Sequence, residues 1–243
     1  MNARINGKNC ICESGEYLLD VAERNGFEIP TLCHHEGLRG QGSCRVCVVE
    51  MDGMVVPACV TKITNDCEVS TDSDKIIEIR GVIVALLQKR APLSEEIADL
   101  ARRYDTPVIP DLKIPDSNDR CILCVLCVRA CYCLGTGAIS AINRGITKKI
   151  APPYEENPDS CIGCGSCAEV CPTGAIPVEQ TGESRKIWNR VFPMRNCVAC
   201  GKPFTTHEAA CFTAAKMGCD SVDYCERCRK MRVSAVIMET HKQ

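Results

Sequence analysis

Cysteine spacing constrains this chain more than any other feature of its sequence. The 243 residues include 22 cysteines, whereas aromatic residues make up only 4%. A chain with so few aromatic side chains and so many cysteines is unusual for a fold stabilised by apolar packing alone, and cysteines supply a further source of stability either as disulfides or as metal ligands. Most of the cysteines lie in groups with two residues between neighbours, a spacing that favours metal ligation in a reducing compartment. The sequence therefore predicts metal centres rather than a disulfide framework.

Two groups of four cysteines share one spacing, Cys-x2-Cys-x2-Cys-x3-Cys. This spacing is typical of bacterial two-cluster ferredoxins, in which three cysteines of a run bind one [4Fe–4S] cluster and the fourth binds the other. Structural zinc is the alternative, but zinc sites use two cysteine pairs separated by a longer loop. The predicted ligands of the first cluster are Cys121, Cys124, Cys127 and Cys171, and those of the second are Cys161, Cys164, Cys167 and Cys131.

A third group of cysteines lies near the N-terminus and suits a four-thiolate [2Fe–2S] cluster, although its first interval is longer than in plant-type ferredoxins. Its predicted ligands are Cys33, Cys44, Cys47 and Cys59. Gly40 and Gly42 precede Cys44, so the loop offers flexible backbone N–H donors to the cluster. His34 and His35 raise the alternative of a Rieske centre. Rieske ligation needs two histidines on one iron, and no residue near Cys44 and Cys47 supplies the second one. We therefore expect His34 and His35 to line the loop instead.

The C-terminal tail contains two Cys-x2-Cys pairs with 24 residues between them. Its predicted ligands are Cys197, Cys200, Cys225 and Cys228. Four thiolates in this arrangement normally bind structural zinc, and a single iron or a further iron–sulfur cluster is the alternative because spacing does not report the metal. Cys133 has no assignment. The remaining cysteines are expected to be small buried residues of the core, namely Cys10, Cys12, Cys67, Cys211 and Cys219.

Turn and helix signals divide the chain into four predicted domains. Asn6-Gly7 and Asp52-Gly53 predict two β-hairpins, and residues 74–104 have helical periodicity interrupted at Ala91-Pro92, with Ser94 as an N-cap. Pro107, Pro110 and Pro115 predict an extended linker. The predicted domains are a [2Fe–2S] domain (1–80), a helical connector and linker (81–118), a two-cluster [4Fe–4S] domain (119–185) and a zinc-ribbon-like tail (190–243).

Composition and missing motifs narrow the function. The formal net charge of −2 gives no electrostatic footprint for nucleic acid. The N-terminal residues show no basic region followed by an apolar region, and the chain has no run of about 18 apolar residues, so we expect a cytoplasmic protein without a signal peptide or a membrane span. It lacks a G-x-G-x-x-G turn, a Walker loop and a nucleophile–base pair, so we expect electron transfer without a catalytic site of its own. The alternatives are a freely diffusing polyferredoxin, which is usually more acidic, and a zinc-ribbon nucleic-acid module, which would carry basic stripes.

The order of these groups resembles a known arrangement of iron–sulfur domains. The N-terminal group and a helical connector precede Arg120-Cys-Ile-Leu-Cys-Val-Leu-Cys-Val-Arg-Ala-Cys131 and Cys161-Ile-Gly-Cys-Gly-Ser-Cys-Ala-Glu-Val-Cys-Pro172. Over about residues 1–180 the chain resembles the N-terminal part of the large iron–sulfur subunit of respiratory complex I. It equally resembles the diaphorase iron–sulfur subunit of NAD-linked hydrogenases and the accessory domains of [FeFe]-hydrogenases.

The resemblance implies an α+β fold with an N-terminal β-grasp domain followed by a two-cluster ferredoxin domain. It also implies a hetero-oligomer in which electrons pass between an FMN-containing NAD(P)H-oxidising subunit and a catalytic subunit of hydrogenase or formate-dehydrogenase type. The family often has another cluster in the connector, held by one histidine and three cysteines. Residues 68–120 contain neither residue type, so that cluster is expected to be missing. The tail resembles the cysteine-pair extension of some formate-hydrogenlyase-type ferredoxin subunits.

Overall fold

The structure, a computed structural model, describes residues 1–110 and 120–240. Its internal contacts divide the chain into two compact units. The first unit comprises residues 1–130, 141–150 and 170–175, and the second comprises residues 131–140, 151–169 and 176 onward. The domain boundaries given above stay predictions, and the part of the expected linker that includes Pro115 lies outside the described residues. Within the described ranges, no helix combines the length and apolar composition needed to cross a bilayer.

The N-terminal part of the first unit is a five-stranded sheet. Its strands are β1 (Asn2–Ile5), β2 (Lys8–Ile11), β3 (Val48–Met51), β4 (Met54–Pro57) and β5 (Cys67–Ser70). The strand order is β2-β1-β5-β3-β4, with β1 and β5 parallel and the other neighbours antiparallel. Asn6-Gly7 and Asp52-Gly53 have positive φ at both residues, as the two-residue turns of such hairpins require. Both predicted hairpins are confirmed.

One helix, α1 (Leu18–Arg24), contributes the apolar residues that pack in the core of this sheet. Strand β1 alternates exposed Asn2 and Arg4 with buried Ala3 and Ile5, so one face of the sheet joins the same core as α1. The expected core cysteines of this region are all buried here, namely Cys10, Cys12 and Cys67. The predicted α+β fold class is confirmed.

Two helices follow the sheet, α2 (Asp74–Arg90) and α3 (Glu95–Arg103). Ser73 and Ser94 cap their N-termini by accepting hydrogen bonds from backbone N–H groups three residues on. The helical segment is interrupted between α2 and α3 at Ala91-Pro92, as predicted. Arg80 of α2 is fully buried and donates a 2.6 Å hydrogen bond to the carbonyl of Val48, which attaches the helical connector to β3.

The rest of the chain contains the short elements of the cysteine runs and a sheet that the sequence did not predict. Helix α4 (Leu126–Leu134), strands β6 (Ser140–Ile142) and β7 (Lys149–Ala151), and helix α5 (Ser166–Glu169) accompany the runs. The second sheet has the order β11-β10-β9-β8 and is antiparallel. Its strands are β8 (Glu179–Gln180), β9 (Ser184–Ile187), β10 (Arg190–Asn196) and β11 (Pro203–Thr206), and helices α6 (His207–Met217) and α7 (Glu226–Thr240) follow.

Candidate metal centres

The four cysteines predicted to bind a [2Fe–2S] cluster lie together in the first unit. All are buried, with 6% or less of each residue exposed: Cys33, Cys44, Cys47 and Cys59. The sulfurs of Cys47 and Cys59 are 3.3 Å apart, and the thiol of Cys33 interacts with the thiols of Cys44 and Cys59. A buried set of four sulfurs fits an iron site held by thiolates.

In the loop before Cys44, the backbone approaches a neighbouring segment of the chain closely at Gly40. A Cβ on Gly40 would lie 2.7 Å from the carbonyl oxygen of Cys59, so only glycine fits there. The pKa of Cys33 is held well below its usual range, first by hydrogen bonds with the thiols of Cys44 and Cys59 and also by the backbone N–H groups of Cys44 and Ser43. The loop therefore stabilises the thiolate form, which is the form that binds metal.

The predicted ligands of the first [4Fe–4S] cluster also lie in the first unit: Cys121, Cys124, Cys127 and Cys171. The N–H of Ala175 donates to the sulfur of Cys171 at 3.3 Å. Burial, together with smaller effects of negative charge on Cys171, Cys121 and Cys33, raises the pKa of Cys124 to about 11. Several thiols buried close together ionise readily only with a cationic centre among them, because their thiolates would otherwise repel one another. This group therefore fits an iron cluster.

The predicted ligands of the second [4Fe–4S] cluster lie in the second unit and line one cavity: Cys131, Cys161, Cys164 and Cys167. Backbone N–H groups already point at two of these sulfurs. Ala138 donates to Cys131 at 3.2 Å, and Gly163 donates to Cys161 at 3.5 Å. N–H donors to sulfur are the interactions by which proteins adjust cluster potentials.

Trp188 gives an independent sign that this cavity suits an acceptor-rich group. It lines the same cavity, and its buried indole nitrogen lies near the sulfur of Cys167 without a well-formed hydrogen bond to any described residue. A buried N–H without a well-placed acceptor is costly. Cluster sulfides and thiolates would supply that acceptor, so the cavity fits a [4Fe–4S] cluster.

The four cysteines of the tail form a compact tetrad. Their sulfurs all lie within 4.8 Å of one another: Cys197, Cys200, Cys225 and Cys228. Cys197 directly follows β10, Cys200 lies in the turn before β11, and the other pair lies where α7 begins. Hydrogen bonds from backbone N–H groups, of which that of Cys225 has the largest effect, lower the pKa of Cys197 to about 6. The arrangement suits one tetrahedral ion held by thiolates.

The expectations for the cysteines outside the four ligand sets and for the histidines are met only in part. Cys211 and Cys219 are exposed, so the prediction that they belong to the core is wrong. Helix α6 buries the small residues Ala209, Ala210 and Ala214 instead. Cys133 is exposed as well. His35 accepts a hydrogen bond from the N–H of Gly37, which is the loop-lining role expected instead of Rieske ligation.

One contributor that the sequence did not reveal is Arg129, between the third and fourth cysteines of the first run. Its guanidinium donates to the carbonyl of Cys33 at 3.0 Å and to that of Arg39. Cys33, Cys44, Cys124 and Leu126 also share one buried apolar cluster with α2 and α3. Within the first unit, the loop of the predicted [2Fe–2S] ligands and the loop of the predicted first [4Fe–4S] ligands are thus in contact.

Comparisons with known families agree with this geometry. The family described as "2Fe-2S iron-sulfur cluster binding domain" matches residues 1–74. The family described as "4Fe-4S binding domain" matches residues 154–176. A [2Fe–2S] domain at the N-terminus followed by [4Fe–4S] binding motifs is therefore confirmed.

The chain is also similar to components of larger assemblies. It is 32% identical over 224 residues to the HndD subunit of the NADP-reducing hydrogenase of Solidesulfovibrio fructosivorans, covering 79% of this chain and 37% of that protein. It is 26% identical over 217 residues to the gamma subunit of the NAD-reducing hydrogenase HoxS of Cupriavidus necator, covering 79% of this chain and 93% of that protein. A crystal structure of an NAD+-reducing [NiFe]-hydrogenase in the H2-reduced state contains a chain with the same fold (TM-score 0.61, 23% identity), covering 85% of this chain and 94% of that one.

These comparisons confirm the resemblance to iron–sulfur subunits of NAD-linked hydrogenases. Homologues also include a component of the NADH-quinone oxidoreductase of Rhizobium meliloti, so the resemblance to complex I is confirmed too. The chain spans only 23 to 37% of the length of several curated relatives that it matches.

Proposed function

We propose that this chain is an iron–sulfur electron-transfer subunit of a multi-subunit NAD(P)-linked oxidoreductase. The observation that carries the proposal is the shared buried cluster of Cys33, Cys44, Cys124 and Leu126, together with the hydrogen bond from Arg129 to Cys33. A chain of one-electron carriers requires neighbouring centres, and this packing brings two predicted ligand groups side by side within one unit. When bound, the clusters supply one-electron carriers whose potentials depend on cluster type, charge and hydrogen bonds to sulfur.

The proposed cofactors are one [2Fe–2S] cluster and two [4Fe–4S] clusters. The [2Fe–2S] cluster is held by Cys33, Cys44, Cys47 and Cys59. The first [4Fe–4S] cluster is held by Cys121, Cys124, Cys127 and Cys171, and the second by Cys131, Cys161, Cys164 and Cys167. The division of the chain supports the crossed pairing, because each unit contains one complete set of four cysteines.

The packing of the connector also supports direct electron transfer between the two proposed clusters of the first unit. This transfer would not need the cluster with a histidine ligand, which this chain is expected to lack. Helices α2 and α3 contribute Val84, Ile97 and Ala101 to the apolar cluster around Cys33 and Cys124. The connector helices therefore place apolar side chains around the two proposed ligand loops of the first unit. Low polarity around a site lowers the reorganisation that charge movement requires, which suits electron exchange.

The proposed partners are an FMN-containing NAD(P)H-oxidising subunit and a catalytic subunit of hydrogenase or formate-dehydrogenase type. The HoxS gamma chain supports a separate subunit of a hetero-oligomer, since this chain spans 93% of its length. HndD supports a hydrogenase context. We propose a cytoplasmic location for the complex, and zinc rather than a single iron for the tail tetrad, because four thiolates on two Cys-x2-Cys pairs usually hold structural zinc.

Anaerobic purification of the native complex tests the proposal. Iron, zinc and acid-labile sulfide are quantified, and co-eluting chains are identified by mass spectrometry. We expect about ten irons and ten sulfides per chain, the sum for one binuclear and two cubane clusters, with one zinc and a flavoprotein. A monomer with the same metals would favour a diffusing polyferredoxin, and much zinc with little sulfide would contradict the proposal.

A further inference from the structure

The second sheet makes hydrogen bonds to the segment that contains Cys161 and Cys164. A tail that only bound zinc would not require these bonds. Three side chains on its strands donate hydrogen bonds to the backbone carbonyls of residues 158–164, the segment that leads into and forms the Cys161–Cys164 turn. Arg190 donates to the carbonyls of Pro158, Asp159 and Cys161 at 3.0, 3.0 and 3.2 Å. Arg185 donates to those of Gly163 and Cys164 at 2.9 and 2.8 Å.

Thr206, at the end of β11, donates to the carbonyl of Ile162 at 2.6 Å. In a trans peptide the carbonyl and the following N–H point in opposite directions. Turning the carbonyl of Ile162 toward the sheet therefore turns the N–H of Gly163 away from it, and that N–H donates to the sulfur of Cys161. The sheet thus presents the N–H side of the loop to the sulfurs.

Close packing fixes the loop in the same orientation. Gly163 has φ +64°, and a Cβ there would lie 2.5 Å from the ring of Phe192. Phe192 belongs to β10 and is fully buried, and the guanidinium of Arg190 lies 4.8 Å from the centre of its ring. The loop, the ring and the guanidinium therefore hold one another in place.

The two guanidinium groups also bring positive charge to this loop. Neither forms an ion pair with a carboxylate within the described part of the chain, and the remaining side-chain partner of Arg185 is the neutral amide of Gln180. Positive charge near an iron–sulfur cluster favours its reduced state, which carries one more negative charge.

We propose that Arg185 and Arg190 are positioning residues of the second [4Fe–4S] site, which orient its loop and raise the midpoint potential of its cluster. The proposal rests on the proposed function only in taking Cys131, Cys161, Cys164 and Cys167 as the ligands. It assigns to the unpredicted sheet a role in electron transfer: the charge of its two arginines makes the second cluster easier to reduce than it would be without them.

The test is an EPR-monitored redox titration of the intact complex with Arg185→Gln, Arg190→Gln and the double variant. Glutamine keeps a hydrogen-bond donor and removes the charge. We expect the double variant to lower the potential of one [4Fe–4S] cluster, with about a tenfold shift in its one-electron equilibrium, equal to about 59 mV. The other two clusters should keep their potentials, and Arg185→Lys and Arg190→Lys should retain most of the wild-type value. Lys186→Gln, on an exposed position of β9, is the matched control.

Selective loss of about four irons from the glutamine variants, but not from the control, would also support positioning of this loop. Full iron with unchanged potentials in all variants would overturn the proposal. Loss of iron from all three sites together would contradict a role confined to this loop. A wild-type complex without two [4Fe–4S] signals would instead mean that the proposed function is wrong.

Discussion

The two Cys-x2-Cys-x2-Cys-x3-Cys loops have the same spacing and backbone but opposite kinds of side chain. In the second loop, Gly163 and Gly165 have φ of 64° and 84°. At the matched positions of the first loop, Leu123 and Val125 have φ of 55° and 58°. This left-handed backbone suits glycine and strains a bulky residue, most of all a β-branched one.

The difference shows that the same ligand geometry is stabilised in two ways. The first loop is embedded in apolar packing, with Ile122 and Leu126 buried in the cluster shared with the connector helices. Packing of this kind over-determines the backbone and maintains the strained residues. The second loop has glycines that add no side-chain packing, and the arginines of the second sheet hold its carbonyls instead.

The largest expected effect comes from placing a side chain on the second loop. Gly163→Ala would push a Cβ to 2.5 Å from the ring of Phe192 at a left-handed backbone position. We expect the variant to lose the second cluster, which iron analysis would record as about four fewer irons per chain. Leu123→Ala at the matched position should retain full iron. Normal iron in Gly163→Ala would mean that the two loops are not held differently.

A second variant confines its effect to the second unit. Cys225→Ser removes one sulfur of the tail tetrad, so we expect loss of about one metal ion per chain and a lower thermal midpoint, because a bound structural metal stabilises its fold. The EPR signals of the clusters assigned to the first unit should not change. Cys219→Ser, at an exposed cysteine outside the tetrad, is the control and should keep the ion. Retention of the ion in Cys225→Ser would exclude this residue as a ligand.

Arg129→Gln should affect only the first unit. The variant loses charged hydrogen bonds to the carbonyls of Cys33 and Arg39. We expect an apparent destabilisation of about 1.5–3 kcal/mol, typical of a charged hydrogen bond, and a change in the EPR signal of the [2Fe–2S] cluster. Thermal unfolding and EPR measure both. Arg144→Gln, at an exposed residue of the same unit, should change neither, and an altered second [4Fe–4S] signal in Arg129→Gln would argue against independent loops.

The smallest expected effect is that of Val125→Gly. Relief of left-handed strain gains about 1–2 kcal/mol, and the added freedom of glycine in the unfolded chain costs roughly 0.5–1 kcal/mol. The net change should therefore be a gain in stability of about 0 to 1.5 kcal/mol, with full iron content. The reverse change, Gly165→Val, should destabilise clearly. A large loss of stability in Val125→Gly would mean that the valine side chain is needed for packing.

Local signals predicted the N-terminal fold well. The two hairpins depend on Asn6-Gly7 and Asp52-Gly53, and the interruption between α2 and α3 depends on Pro92. Each feature is therefore determined by residues that are neighbours in the sequence. Ligand spacing likewise predicted the tail tetrad, whose four sulfurs lie within 4.8 Å of one another, whereas the ligand sets of the clusters stay predictions. The second sheet was missed because β9 and β10 lack clean alternation and Pro193 lies inside β10. Arg185 and Arg190 were missed because their partners are backbone carbonyls more than twenty residues away, and a carbonyl has no sequence signature.

The crossed pairing of Cys131 and Cys171 bears on how the protein is made. In the proposed assignment, each cysteine run supplies three ligands to one cluster and the fourth to the other. The second cluster therefore lacks ligands until Cys167 has been synthesised, and the first lacks its last ligand until Cys171 has been synthesised. A nascent chain that has passed the first run still exposes reactive thiols and must wait for the second. Cluster insertion is therefore expected after the second run has left the ribosome, and the two [4Fe–4S] centres should mature together rather than in sequence.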